Sequence, residues 1–280
     1  MRIKILSDST CDLPESILKQ YDISLTPLSV IKNDEVFKDG ITITPAEIFD
    51  HVANGGALCT TSAVSVGEYQ DHFETYAKDY DGILQITIGS GFSACYQNAC
   101  LAAEDYDNVR VIDSFNITTG QGLIAMKARE LAQSAADLDT LAQEVQSFAA
   151  KVEASFVVDK LDFLVKGGRC SSAAALGANL LNLKPCIEVK DNKMTVVKKY
   201  RGNFSKCLTT YVKDRLDGRE DLDPNAVFIV KTVVPDDCYN AVREMVVQYE
   251  AFTQILEATA GCTISCHCGP GTLGIIFVRK

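Results

Sequence analysis

The 280 residues carry 27 Lys and Arg against 37 Asp and Glu, a formal net charge of −10. Hydrophobic residues make up 47% and charged residues 23%, a globular balance that excludes a disordered chain. The acid excess excludes nucleic-acid binding through bulk electrostatics, and no apolar run approaches the roughly 20 residues of a membrane span.

The most apolar long segment, residues 173–183, is about half a span and is broken by Gly177 and Asn179. The opening residues lack the long apolar stretch of a signal peptide, so the expected location is cytoplasmic. The 11 Cys are odd in number and irregular in spacing, which predicts reduced thiols acting as small apolar residues.

In chain order, residues 4–7 read as a strand. Asp12-Leu13-Pro14-Glu15 then opens a helix, with Asp12 as N-cap. Residues 23–31 form a second strand, and Thr44-Pro45-Ala46-Glu47 starts another helix. A helix over 65–76, a strand over 82–88 and a helix over 92–104 follow. A strand over 109–112 and a long helix over 118–135 complete this half. Strands alternating with helices predict a parallel sheet, with ligands beyond the strands' carboxyl ends. Three polar loops occupy such ends: Ser7 to Thr10, Gly89 to Ser93, and Asp113-Ser114.

The second half reads as a mixed sheet with helices on one face. Strands are expected over 155–158, 227–233, 255–257, 263–268 and 273–278. Residues 186–189 and 194–200 flank Asp191-Asn192-Lys193 as a hairpin. Helices are expected over 172–183, 204–216 and 236–249. The expected architecture is α/β in two domains. Residues 1–152 form a parallel-sheet α/β/α unit, and 153–280 a two-layer α/β unit with a mixed sheet.

Several clusters could carry chemistry. Gly89-Ser90-Gly91-Phe92-Ser93 leaves a strand and enters a helix, so it is either an ordinary turn capped by Ser93 or an anion site. Hydroxyls at Thr60, Thr61, Ser62 and Ser65 are either helix caps or further anion donors. Cys262 to Cys268 holds Cys and His, but strand alternation would turn His267 away from Cys266 and Cys268, so a metal site is not expected. His51 and His72 fall in helical patterns and read as surface residues. Asp8, Asp113 and Asp159 are either acids for metal-assisted phosphoryl transfer, for which no P-loop or kinase motif is present, or strand-end residues capping the next helix, which is the expected reading. Lys166 to Arg169 and Lys198 to Arg201 are either solvated charge or an anion or partner site.

The ordered set of motifs resembles the DegV family, bacterial fatty-acid-binding proteins, over nearly the whole length. It includes Ile5 to Pro14, Thr61-Ser62 with Ser65, Ser93 to Ala99, Asp113-Ser114 and Gly167-Gly168-Arg169. It ends with Leu183-Lys184-Pro185, Arg201 and His267 to Gly271. The chain departs from the family pattern at Ala63-Val64, at Phe92 and Ala94-Cys95 around Ser93, and at Cys170. The resemblance implies a DegV-like fold with a long-chain fatty acid such as palmitate held between two α/β domains. It places Thr61, Ser93 and His267 at the carboxylate, with Ser62 nearby. It places Arg169 and Arg201 near the mouth, for kinase docking or phosphate handling. It further implies a carrier rather than an enzyme. A separate fatty acid kinase catalytic subunit would make the acyl phosphate for phospholipid synthesis, and no metal or cofactor is needed besides the bound acid.

Physical magnitudes suit that role. Burial gains about 0.8 kcal/mol per methylene, so about 14 methylenes offer roughly 11 kcal/mol before entropic costs. Hydrogen bonds to the charged head are largely offset by its desolvation. The tail should set affinity and the head orientation. Small residues at 173, 174, 175, 177 and 178 could leave room for a tail or serve tight packing. Two other readings remain: a serine hydrolase or acyltransferase with Ser93 as nucleophile and His267 as base, and a small-molecule kinase resembling dihydroxyacetone kinases.

Overall fold

The computed structural model describes residues 1–174 and 183–280. β1 (Ile3–Asp8) is buried at every position, as expected of a strand covered on both faces. α1 (Glu15–Gln20) leads to β2 (Ile23–Thr26), β3 (Ser29–Lys32) and β4 (Glu35–Lys38). The single strand expected over 23–31 is therefore two. Pro27 lacks an N–H and interrupts the ladder. β2 runs parallel to β1, whereas β3 pairs antiparallel with β4 across Asn33-Asp34, both at positive φ.

α2 (Pro45–Ala53) starts as expected, with a capping box between Thr44 and Glu47. β5 (Thr60–Ser62) joins the other edge of β3. α3 (Val66–Ala77) has a second capping box, between Ser65 and Glu68. β6 (Gly82–Thr87), α4 (Cys95–Ala103) and β7 (Val109–Asp113) complete a four-stranded parallel sheet of order β2-β1-β6-β7. The chain moves outward from β1 in both directions, so the switch point lies between β1 and β6.

α5 (Thr118–Ala132) is buried along most of its length and packs between the parallel sheet and the second sheet. α6 (Leu138–Ala149) lies beside it, capped by Asp137. Then come β8 (Val152–Val158), α7 (Asp162–Gly167), α8 (Ser171–Ala174), β9 (Leu183–Lys190) and β10 (Lys193–Arg201). They are followed by α9 (Phe204–Leu216), β11 (Leu222–Lys231), α10 (Asp236–Gln248), β12 (Gln254–Thr259), α11 (Cys262–Cys268) and β13 (Thr272–Arg279). Their strands form a mixed sheet of order β10-β9-β8-β13-β11-β12. Of the helix expected over 172–183, residues 175–182 lie outside the described residues.

Two expected local features give way to long-range ones. Asp12 does not cap α1, which begins after Pro14. It sits at φ +50, where an N-cap requires extended backbone. Its carboxylate accepts instead from the Thr118 hydroxyl at 2.6 Å and the Gly261 N–H at 2.9 Å. The strand expected over 263–268 is the helix α11. Asp39 holds its first turn, with Oδ1 accepting from the Cys262 N–H at 2.8 Å and Oδ2 from the Thr263 N–H at 3.2 Å. A cap supplied from more than 200 residues away leaves no trace in the local pattern.

Candidate functional site at the junction of the two sheets

The site begins with α11. In the last turn of this helix, His267 Nε2 lies 2.8 Å from the Thr61 hydroxyl of β5. The pair thus joins segments 206 residues apart in the chain. Asn98 of α4 donates to the Val64 carbonyl at 2.7 Å and so ties the helix that follows Ser93 to the segment bearing Thr61 and Ser62. Thr61, Ser62, Ser93, Arg169 and His267 line one chamber, which contains about 500 Å³ of space outside atoms, part of it open to solvent.

Adjoining it is a narrow, tightly packed apolar pocket, with a free cavity volume of only about 20 Å³, bordered by Ala154, Phe156, Val230, Ala260 and Ile276. Ile117, Ile264 and Cys268 border both chambers. The polar chamber receives Ile88 and Phe92 from the end of β6, at the switch point. This arrangement offers hydroxyls and an imidazole at one end and hydrocarbon at the other.

Burial and the nearby Arg169 charge push His267 down to about 4. The ring is therefore neutral at pH 7 and acts through hydrogen bonds rather than charge. Its Nδ1 faces the Gly167 backbone, where a Cβ would come within 2.6 Å, and no side chain among the described residues bonds it. Gly168 adopts φ +70 as the C-cap of α7. The two glycines thus let the backbone pass close to the imidazole and turn, which brings Arg169 to the chamber.

A scan against family models matches residues 2–280 to the DegV family, described as "Uncharacterised protein, DegV family". The chain belongs to the DegV family. A DegV domain-containing protein from Clostridium acetobutylicum is 31% identical over 283 residues, covering 100% of this chain and 99% of the relative. Among solved structures, a DegV family protein from Thermus thermophilus described as binding fatty acid is similar with TM-score 0.89 and 28% identity. DegV from Bacillus subtilis, described as a fatty acid binding protein, is similar with TM-score 0.83 and 27% identity. Both comparisons cover 100% of each chain. The architecture is thus α/β, with one parallel sheet, one mixed sheet and a three-stranded antiparallel sheet of order β4-β3-β5 that carries Thr61 and Ser62, and it matches the Thermus thermophilus structure over the whole chain.

Within this DegV chain, several expected residues fall elsewhere. Arg201 ends β10, seven residues beyond Met194, or about 23 Å along the strand, and does not line the chamber. The Gly89 to Ser93 loop is not an open anion cradle. Its Ser90 N–H donates to Asp113 Oδ1 at 3.0 Å and its Gly89 N–H to the Asn116 carbonyl at 2.8 Å. The hairpin tip occupies the space beside the glycines. Asn192 Nδ2 reaches Ser90 Oγ at 3.0 Å and Asp113 Oδ2 at 3.2 Å. A Cβ on Gly91 would stand 1.9 Å from the Asn192 carbonyl oxygen.

Ser93 is not the N-cap of α4. Its Oγ accepts from the Cys95 N–H at 3.3 Å and lies 3.2 Å from Cys95 Sγ. His267 Nε2 therefore engages Thr61 rather than Ser93, and no carboxylate among the described residues orients Nδ1. Asp8 does not cap a helix either. It is fully buried and accepts from the Tyr69 hydroxyl, the Gln85 amide and the Ile88 N–H. Asp159 pairs with Lys184 at 2.6 Å. His51 and His72 are half-buried rather than surface residues, and His72 Nδ1 lies 2.6 Å from the Thr26 hydroxyl.

All eleven cysteines are free. Among the described residues, no group of three Cys, His, Asp or Glu is placed to hold a metal ion, and no helix is long and apolar enough to cross a membrane. Sequence reasoning missed Thr263, which lines the polar chamber with a buried hydroxyl that has no partner among the described residues. The expected strand alternation hid it. A helical reading would have placed it one turn before His267.

Proposed function

We propose that the chain binds a long-chain fatty acid such as palmitate between two units, residues 1–152 and 153–280. In this reading it presents the carboxylate to a separate fatty acid kinase, which supplies acyl phosphate for phospholipid synthesis. The observation that carries the reading is the Thr61–His267 pair in a chamber that shares Ile117, Ile264 and Cys268 with an adjoining apolar pocket. Thr61, Ser93 and His267 hold the acid end, with Ser62 beside them. The neutral imidazole and hydroxyls orient a carboxylate with little electrostatic pull, so hydrocarbon burial supplies the affinity. Arg169 is the cation at this mouth that meets the kinase or the transferred phosphate, and Arg201 serves a more distant docking contact.

The fatty-acid-binding relatives support the carrier reading. The hydrolase reading needs a Ser93–His267 hydrogen bond and an orienting acid, and the described residues supply neither. The test is palmitate uptake by the purified chain, followed by hydroxamate trapping of acyl phosphate with ATP and a purified fatty acid kinase subunit. Ser93→Ala should weaken uptake about tenfold or abolish acyl phosphate formation. If Ser93→Ala leaves both unchanged, the head-group assignment fails. If the wild-type chain takes up no palmitate, the whole reading fails.

A further inference from the structure

We propose that Thr263 is a further head-group ligand, its hydroxyl donating to the carboxylate of the acid bound beside Thr61 and His267. The assignment rests on the fatty-acid reading above. Thr263 is only 4% exposed, and its Oγ1 has no hydrogen-bond partner among the described residues.

Neighbouring hydroxyls show what a purely structural role looks like. Ser265 Oγ donates to the Ala260 carbonyl at 3.2 Å, and Thr272 Oγ1 to the Cys268 carbonyl at 3.0 Å. Thr263 makes no such bond. It is not needed as a cap either, because Asp39 already accepts from its backbone N–H. Four residues before His267, it lies on the same face of α11, one turn away. Both residues line the polar chamber that also holds Thr61 and Ser93.

Burying an unpaired hydroxyl costs free energy. Valine would fill nearly the same space without that cost. A ligand oxygen arriving in the chamber removes the penalty by accepting the hydroxyl proton in a hydrogen bond, and a carboxylate is a strong acceptor. The ligand this selects is a monocarboxylic acid with a long apolar tail, in preference to the same tail with a weaker acceptor at its head.

The test compares wild type, Thr263→Val and Thr263→Ser for palmitate and hexadecanol binding and for thermal unfolding without ligand. Thr263→Val should raise the palmitate Kd about tenfold and change the hexadecanol Kd less than twofold. Its ligand-free Tm should stay level or rise, since the unpaired hydroxyl is gone. Thr263→Ser should keep palmitate affinity within about threefold of wild type, because it retains the donor. An unchanged palmitate Kd in Thr263→Val overturns the assignment, as does an equal loss for both ligands. A wild-type chain that binds no palmitate overturns the fatty-acid reading itself, and this assignment with it.

Discussion

Asp8 lies at the carboxyl end of β1, fully buried beneath the junction. Tyr69 donates to Oδ1 at 2.6 Å, Gln85 to Oδ1 at 3.0 Å, and the Ile88 N–H to Oδ2 at 2.9 Å. Burial pushes the carboxyl from 3.8 up to about 7, against these donors, which favour the charged form. Between those two values the native protein holds a proton that the unfolded chain has released. The contribution of Asp8 to stability is therefore fully present below about pH 4, falls as pH rises, and levels off above about pH 7. The slope is about 1.4 kcal/mol per pH unit, or about 4 kcal/mol across the window. Urea unfolding of wild type and Asp8→Asn from pH 4.5 to 8 measures it. Asn turns a donor toward the Ile88 N–H, which costs stability at every pH and leaves the slope untouched. The wild-type advantage should decline by about 2.5 kcal/mol between pH 4.5 and 6.5 and flatten above about pH 7. A difference that stays level from pH 4.5 to 6.5 refutes the argument.

Gly91→Ala should destabilise by about 1–3 kcal/mol, because its Cβ meets backbone atoms of Asn192. Gly67→Ala has open space around it and serves as the control, and equal midpoints in urea for the two variants would refute the contact. Palmitate loading should raise the His267 pKa by at least one unit from about 4, since a carboxylate favours the imidazolium. An NMR titration of the ring reads that shift, and an unmoved midpoint places the carboxylate elsewhere. In the ligand-free protein the sign is fixed by burial. His267 contributes stability that is present above pH 6.5 and is lost as pH falls toward 4.

Features written into consecutive residues were legible in the sequence. The Thr44 and Ser65 segments carry their own caps, and the Asp191-Asn192 turn declares its hairpin through residues that tolerate positive φ. The helices over 204–216 and 236–248 follow apolar spacing alone. The errors came where the decisive partner is distant. Asp12 looked like a cap but binds Thr118 and Gly261. The alternation over 263–268 suggested a strand, whereas Asp39 starts a helix there. For the site, Thr61, Ser62, Ser93 and His267 came from the family resemblance, and their spatial meeting is a property of the fold. Arg201 matches the motif but lies at the end of β10, outside the residues that line the chamber.

Tight turns at hairpin tips are usually where a chain accepts an inserted tag or reporter, because little packs against them. The tip at Asp191-Asn192 is an exception. Asn192 is seated between Gly89 and Gly91, two residues before Ser93, while Met194 on the adjoining strand borders the same chamber. An insertion at this tip would pry apart both walls of that chamber at once. Residue 218, a solvent-exposed glycine after α9 with open space around it, is the better place to attach a probe that must leave the chamber undisturbed.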